Sequence, residues 1–405
     1  MSSIGKPTLL TSIGMALAFV GVPLGMYFNF IFPVVKWSPI FMFLSVLLMI
    51  SYRNLYNLNF PSFNGIFKYI LFFQFLMLSY GVISERMTQQ YLTFHLYIIA
   101  TIIALSTRNS QISYNKVIET VFVFSSICVI LGAYFLWNGL VVGEEAWQIK
   151  QVFEDWALEP FTVARGAVIN LSCILFMKNT RCFFYILFAF FIVLDTYILF
   201  ASTKRTPIFV SGMIVLVFLY KKGFFQPKKI LQLMRLLSPI IIVSIILYIN
   251  VESIKDTIDN FYSNFYNGVL NLFGDTHVKD ETGSAIARLE SRQWAYNYIN
   301  GQFAFSNYLF GGGYMIRWLD NPILQSYLDM GIIGIVSYVY LIIIFPIKNI
   351  FKRLDNTFLF FVTLQCLYNI LSSINSGNPY LYIKYVPVCF LAFALRTNSM
   401  HKIEM

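Results

Sequence analysis

Long apolar runs recur along the whole chain, and they constrain its fold more than any other feature of the sequence. Several approach the ~20 residues that a helix needs to cross a bilayer, where a helix satisfies its own backbone hydrogen bonds. The sequence therefore predicts an all-α polytopic membrane protein with about twelve transmembrane helices. They lie near residues 9–32, 39–51, 66–83, 91–106, 117–137, 163–177, 182–200, 207–220, 236–250, 323–345, 357–373 and 380–395.

The composition agrees with this class and excludes an ordinary soluble domain. Hydrophobic residues make up 58% and charged residues only 12%, with a mean hydropathy of +0.67, whereas soluble domains carry roughly 25% charged residues. No nucleic-acid-binding module is visible, so the net charge of +10 indicates basic cytoplasmic loops. Residues 1–405 are interpreted as one integral membrane domain, and the five cysteines as packing or lipid-facing residues.

The distribution of charge predicts the orientation of the chain. When the N-terminus is placed in the cytoplasm, every inner connection carries Lys or Arg, as the positive-inside rule requires. Most acidic residues then fall in outer segments. Both termini are therefore predicted to be cytoplasmic. Two outer loops are long, residues 138–162 and residues 251–322, and the second is the only sizeable region predicted to lie off the membrane.

Basic residues on the outer side are few, and they lie near span ends or within the large loop. Because positive charge there runs against the topology bias, it suggests anionic partners at the outer interface. No cluster with metal-ligand spacing accompanies these residues. They are Arg165, Lys204, Arg205, Arg288, Arg292 and Arg317.

The segment from Ser284 to about Asn300 predicts a helix inside the large loop, with Ser284 as its N-cap. Arg288 and Arg292 are four residues apart and therefore lie on one face of that helix. Two guanidinium groups at this spacing can bind a diphosphate, because each presents a planar fork of donors. A surface helix whose arginines pair with Glu290 or with solvent explains the same pattern.

Three further positions each admit a functional and a structural interpretation. Arg165, where span six begins, is either an anion contact at the membrane surface or a snorkelling arginine at a helix end. Lys204 and Arg205 either bind an anion or anchor a helix at the interface. Asp195 lies inside span seven, where a carboxylate is costly, and it either holds one of those cations or forms a polar contact between helices.

Residues 311–335, GGGYMIRWLDNPILQSYLDMGIIGI, join a glycine-rich loop to an apolar helix. Asp320 and Asn321 precede Pro322, which suits the first turn of a helix. They either cap span ten or contact a sugar at the membrane surface, where Asp320 would orient or deprotonate a hydroxyl group.

The glycines of the same stretch have structural interpretations. Gly331 and Gly334 predict close packing between helices. The three glycines at 311–313 predict a flexible turn. They have no downstream Lys-Ser/Thr and follow no strand, so they do not form a nucleotide-binding loop.

Five short motifs accompany the span architecture. They are ARG at 164–166, STKR at 202–205, Arg292-Gln-Trp294, YLFGGGY at 308–314 and DNPILQSYLDMGIIGI at 320–335, of which the last two are the most specific. With the large outer loop in the second half, they make the chain resemble bacterial O-antigen polymerases, within the O-antigen ligase/polymerase superfamily. The resemblance covers most of the length.

The resemblance implies a GT-C-like fold and an inverting, metal-independent glycosyltransferase without a cofactor, acting at the periplasmic face of the bacterial inner membrane. Its substrates would be glycans on undecaprenyl diphosphate, and a chain-length regulator is a further candidate partner. Outer arginines would bind the diphosphate and stabilise the charge that develops as it leaves. The implied catalytic residues are Asp320, Arg288 and Arg205. The implied substrate contacts are Arg165, Arg292, Arg317, Asn321, Lys204 and Asp195.

Alternatives to a polymerase remain. Ligases of the superfamily, which transfer the glycan to lipid A–core, typically show His-Asn where this chain has Asp320-Asn321, and this disfavours a ligase. A flippase for the same lipid-linked sugar belongs to another class. It is disfavoured because the two halves of the chain differ and only Asp195 lies well inside a predicted span. A structural or regulatory membrane protein is the third alternative.

Overall fold

A computed structural model of the chain describes residues 9–108, 114–142, 160–177, 182–202, 204–221, 223–226, 284–350, 357–375 and 377–400, with isolated short stretches between 231 and 266. These ranges form helices, turns and loops, and no strand occurs in them. The helices are α1 (Leu9–Ile31), α2 (Trp37–Met49), α3 (Tyr52–Tyr56), α4 (Gly65–Ile83), α5 (Gln89–Ser106), α6 (Tyr114–Val142), α7 (Pro160–Phe176), α8 (Cys182–Ala201), α9 (Arg205–Lys221), α10 (Ser284–Gln302), α11 (Phe305–Phe310), α12 (Pro322–Val339), a π-helical turn (Tyr340–Ile344), α13 (Phe345–Ile350), α14 (Thr357–Asn375) and α15 (Tyr382–Met400).

The predicted spans within the described ranges correspond to helices, with ends that differ by a few residues. The span predicted at 236–250 lies largely outside the described residues. Within the described ranges, five helical stretches are long and apolar enough to cross a membrane by length and composition, so the protein is an α-helical, multi-pass membrane protein. They are Leu9–Ile31, Gly65–Ile83, Asn115–Asn138, Pro322–Asn349 and Thr357–Ile374.

Close helix packing builds the first of two compact units, which comprises residues 1–210 and 298–405. In it α1 packs against α2 and α6, α6 against α7 and α8, and α15 against α14 and α5. Small residues permit the approach of α1 to α2, since a Cβ on Gly14 would lie 2.8 Å from the Leu48 Cβ. Aromatic rings fill the interior. The centre of the Phe19 ring, for example, lies 5.2 Å from that of Phe361 and 4.8 Å from that of Phe390.

Buried cysteines belong to this packing, as one of the two interpretations of the sequence predicts. They are Cys128, Cys173, Cys366 and Cys389, all with free thiols. The side chain of the fifth cysteine, Cys182, lies outside the described part of the chain.

The two ends of this helical unit differ in chemistry. At one end, where α5 and α15 finish, cations bind backbone carbonyl groups: Arg108 donates to Met49 and Ile50, and Arg396 donates to Phe63. At the other end α5, α7, α12 and α15 begin and α14 finishes, and buried polar side chains there contact one another and nearby backbone carbonyl groups. The second end, called the polar end below, carries the candidate site.

Residues 211–297 form the second compact unit. It includes most of α10, which confirms the helix predicted from Ser284 to about Asn300. Much of the predicted outer loop 251–322, and residues 143–159 of the loop 138–162, lie outside the described residues.

Candidate active site

α12 is interrupted near its start, and a loop completes its hydrogen bonding. Gly331 has φ 62° and ψ −151°, far from helical values. Such a break removes helical partners from nearby carbonyl groups. The N–H of Gly312 donates to the Leu328 carbonyl at 2.9 Å, and the N–H of Gly313 donates to the Asp329 carbonyl at 3.2 Å. The loop that begins at Gly311 is thereby fixed to the broken helix.

The break requires glycine for conformation and for space. The Gly331 backbone lies in a region that residues with a side chain essentially do not occupy. A Cβ there would also lie 2.5 Å from the backbone carbon and oxygen of Leu309. Gly311, at φ 81°, approaches equally closely, because its Cβ would meet the Asp329 carbonyl.

The close packing between helices predicted for Gly331 and Gly334 is confirmed at Gly331 and takes another form at Gly334. Gly331 packs against the backbone of Leu309 in the short helix α11. A Cβ on Gly334 would meet the Ser326 carbonyl and the Met330 side chain of α12 itself. The break folds the two parts of α12 onto each other at this point, which a straight helix would not do.

Asp329 holds this arrangement together. Its carboxylate is fully buried and accepts hydrogen bonds from the Tyr380 hydroxyl at 2.6 Å, the Gln325 amide at 2.8 Å, and the backbone N–H groups of Met315 at 3.1 Å and Ile316 at 3.4 Å. These donors come from the loop, from α12 and from the segment before α15. A buried carboxylate with this many donors is a structural link between the three.

Aromatic side chains extend the network across the polar end. The rings of Tyr314 and Tyr380 lie 4.2 Å apart. His95 on α5 contacts the Tyr314 hydroxyl through Nε2 at 3.3 Å and the Gln74 side chain of α4 through Nδ1 at 2.7 Å. Burial raises the pKa of the Tyr314 phenol well above its ordinary value, so the hydroxyl stays protonated at neutral pH.

The loop ends at the predicted cap of α12. The Asn321 side chain accepts from the Leu324 N–H at 3.1 Å, which confirms the capping interpretation for this residue. Asp320, at φ 51°, is half-buried, and its Oδ1 accepts from the Trp318 Nε1–H at 2.7 Å. Arg317 is exposed. The role of Asp320 as a base stays a prediction.

Arg165 lies inside the helical unit rather than snorkelling at a helix end. Only 3% of its surface is exposed. Its guanidinium carbon lies 5.1 Å from the centre of the Tyr368 ring, and Nη2 donates to the Ile383 carbonyl at 3.5 Å. Its role as an anion contact stays a prediction. A second cation, Lys384, is equally buried one residue after Ile383.

Asp195 forms the polar contact between helices that was one of its two interpretations. It is buried on α8, and the Asn170 amide of α7, in the orientation that satisfies its neighbours, donates to Asp195 Oδ2 at 3.0 Å. Lys204 is half-buried between α8 and α9. Arg205 is the first residue of α9, and its side chain lies outside the described part.

Arg288 and Arg292 belong to the second unit. Both lie on α10 and are half-buried, one helical turn apart as predicted. The Nε atom of each is buried. Their predicted role as diphosphate ligands remains a prediction.

Sequence reasoning missed two buried charges among the residues that the structure describes. Asp329 lies within α12 and Lys384 within α15, and both are buried. Asp329 carried a usable signal, because a carboxylate within an apolar run is a functional candidate by default. Gln325, four residues before it, lies on the same helical face. Lys384 gave a weaker signal, since a lysine at a span end usually snorkels.

Neither the family models nor the curated proteins compared with the chain give a match. The assignment of function therefore rests on the sequence motifs and on the geometry of the polar end.

Proposed function

We propose that the protein is an O-antigen polymerase of the Wzy type. It joins oligosaccharide repeat units carried on undecaprenyl diphosphate into a polysaccharide. The observation that carries the proposal is the polar end, where a fixed loop presents Asp320 and Arg317 and a buried guanidinium, Arg165, lies among the ends of several helices. A glycosyltransferase with a lipid diphosphate donor needs such cations beside a carboxylate at a membrane surface.

The proposed topology has about twelve spans in a GT-C-like arrangement, with both termini in the cytoplasm and the polar end facing the periplasm of a bacterial inner membrane. The chemistry of the two ends supports this orientation. Arg108 and Arg396 mark the end opposite to the polar end. Basic residues concentrate on the cytoplasmic side of membrane proteins.

In the proposed reaction an acceptor hydroxyl of the new repeat unit attacks the anomeric carbon of the growing glycan. A bond forms between that oxygen and the anomeric carbon as the bond from the carbon to the diphosphate oxygen breaks. The configuration inverts, the hydroxyl proton passes to a carboxylate, and the diphosphate leaves with the electron pair. Arg205 and Arg288 stabilise this developing charge, and Arg165 and Arg292 bind the diphosphate.

Asp320 suits the role of base better than Asp329. The Asp329 carboxylate is fully buried and already accepts hydrogen bonds from four donors, so an acceptor hydroxyl has no access to it. Asp320 is half-buried, and its carboxylate accepts a hydrogen bond from the exposed Trp318 side chain. In the proposal Asn321, Arg317 and Lys204 contact the sugar or its carrier.

A flippase is the second candidate, because the helices bury more charged residues than the sequence indicated. Flippases keep charges along a cavity within the spans, and this protein buries Arg165, Asp329 and Lys384 as well as Asp195. The network around Asp329 is saturated and holds a loop in place, which suits a fixed enzyme site better than a moving pathway. We therefore favour the polymerase.

Surface lipopolysaccharide from a deletion strain, with and without the restored gene, separates these functions. A polymerase predicts core with a single repeat unit in the deletion strain and a ladder after restoration. Bare core with polymer stranded on its carrier would indicate a ligase. Bare core with single units on the cytoplasmic leaflet would indicate a flippase.

Single variants test the site within the same strain. We expect Arg288→Ala and Arg205→Ala to slow polymer formation by about a hundredfold, since each removes a charge that acts mainly in the transition state. Asp320→Asn tests the base. Gln293→Ala changes an exposed residue of α10 and serves as the control. Unchanged polymer length in Arg288→Ala or Arg205→Ala at equal expression would show that the assignment is wrong.

A further inference from the structure

The guanidinium group of Arg165 uses few of its donors although it is buried. Its one hydrogen bond among the described residues, to the Ile383 carbonyl, is long at 3.5 Å, and its other close contact is the Tyr368 ring. In the described part of the chain no carboxylate lies within ion-pair distance of it. A guanidinium offers five N–H donors, and a buried charge with so few partners is costly.

Lys384 brings a second positive charge to the same place. It is 3% exposed, and its ammonium group donates to the hydroxyl of Ser372 at 2.6 Å and to that of Ser373 at 3.4 Å. Arg165 donates to the carbonyl group of Ile383, the residue before Lys384, so the two cations lie close enough to act on each other electrostatically. Two like charges repel strongly where water is largely excluded, so an anion bound between them would stabilise the fold.

Asn369 supplies a third, independent observation that points to a ligand. This fully buried residue donates through Nδ2 to the carbonyl groups of Ile383 at 2.9 Å and Lys384 at 3.0 Å, which fixes its orientation. Its Oδ1 atom is buried and has no hydrogen-bond partner among the residues that the structure describes. Buried polar atoms of this kind call for an unseen donor, such as a ligand hydroxyl, a protonated phosphate oxygen or water.

We infer that Arg165 and Lys384 form a binding site for a phosphate or diphosphate group at the polar end of the helical unit, with Ser372 and Asn369 beside it. The planar guanidinium suits two phosphate oxygens at once, and the lysine adds a compact charge. The anion site stands on this geometry. Its occupation by the diphosphate of a lipid-linked glycan rests on the proposed function.

The test uses the purified full-length protein in detergent and two probes, inorganic diphosphate and farnesyl diphosphate. Calorimetry gives the affinities. We expect wild type to bind at least one probe, and we expect Lys384→Met and Arg165→Met to lose at least about tenfold in affinity. Lys348→Met removes an exposed lysine of α13 and should bind as wild type does. Binding of farnesyl diphosphate alone indicates the lipid source, and equal binding of both probes indicates diphosphate from any source.

A purely structural role for Lys384 predicts that Lys384→Met loses stability. The anion site predicts instead that Lys384→Met, without ligand, unfolds at the same temperature as wild type or higher, because the substitution removes a repulsion. Lys384→Gln, which keeps a hydrogen-bond donor toward Ser372, is the second variant. Wild type that binds neither probe, variants that retain full affinity, or a large loss of stability in both variants would overturn the inference.

The outcomes for site and function are separable. Loss of the polymer ladder in the deletion strain together with unchanged diphosphate binding by Lys384→Met would leave the polymerase and remove the anion site. A normal ladder in the deletion strain together with tenfold weaker binding by Lys384→Met would leave the anion site and remove the polymerase.

Discussion

Replacing Gly331 by alanine tests whether the break in α12 holds the site loop. The change places a Cβ at φ 62° and ψ −151° and 2.5 Å from the backbone of Leu309. The conformation costs about 1–3 kcal/mol, and the overlap with backbone, which cannot rotate away, adds about 1–3 kcal/mol. The expected loss of folding free energy is therefore roughly 2–6 kcal/mol.

Buried thiols provide the assay. Cys128, Cys173, Cys366 and Cys389 are buried and free, so a thiol-reactive fluorophore reports their exposure during thermal unfolding in detergent. Cys182→Ser serves as the background. For a chain of 405 residues, an unfolding entropy of roughly 2.1 cal/mol/K per residue corresponds to about 1 °C per kcal/mol, so Tm should fall by about 2–7 °C.

Gly301→Ala is the matched control for Gly331→Ala. Gly301 lies within α10, and a Cβ there meets no atom of the described residues within 4 Å, so alanine should leave Tm unchanged or raise it slightly. If Gly331→Ala unfolded within a degree of wild type and of Gly301→Ala, the break would not need glycine. The loop would then not be fixed to α12 in the way described.

Three further predictions concern the same loop. Asp329→Ala leaves four buried donors unsatisfied and should lower stability by at least about 3 kcal/mol, whereas Asp329→Asn keeps one acceptor oxygen and should cost less; equal Tm values for the two variants would contradict this. Asn321→Ala removes the N-cap and should cost about 1 kcal/mol in the same assay, with no effect if the cap is unimportant. Burial raises the pKa of Tyr314, so its stabilising effect is complete below the unfolded pKa of about 10 and is lost as pH rises above that value. The fall of Tm between about pH 9 and 11 should therefore be shallower in Tyr314→Phe, and an identical slope would refute the effect.

The sequence predicted the helices well because hydropathy directly expresses burial in lipid. It also predicted the cap at Asn321, because capping depends on the few residues around Pro322 and is therefore visible in the local sequence. The break at Gly331 was not predictable in this way, because a glycine in an apolar run also suits close packing between helices. Whether Gly331 marks a break or only close packing depends on Leu309 and Gly311, which contact it only in the folded protein.

The candidate site depends still more on contacts between distant parts of the chain. Arg165 was recognised as a candidate cation, but its burial results from Tyr368 and Ile383 on helices about two hundred positions away. Lys384 was not among the candidates, and only the fold places it next to Ile383, whose carbonyl group Arg165 contacts. Single-sequence patterns describe the faces of each helix, and they do not say which faces meet.

The break in α12 also divides its length. The helical stretch after Gly331, from Ile332 to Ile350, holds about 19 residues and measures roughly 28 Å at 1.5 Å per residue, nearly the whole thickness of the hydrocarbon layer. The nine or so residues before the break, roughly 13 Å long, are not needed to cross it. The segment from Pro322 to Met330 can therefore lie at headgroup depth. Asp329 then does not cross the centre of the bilayer during insertion.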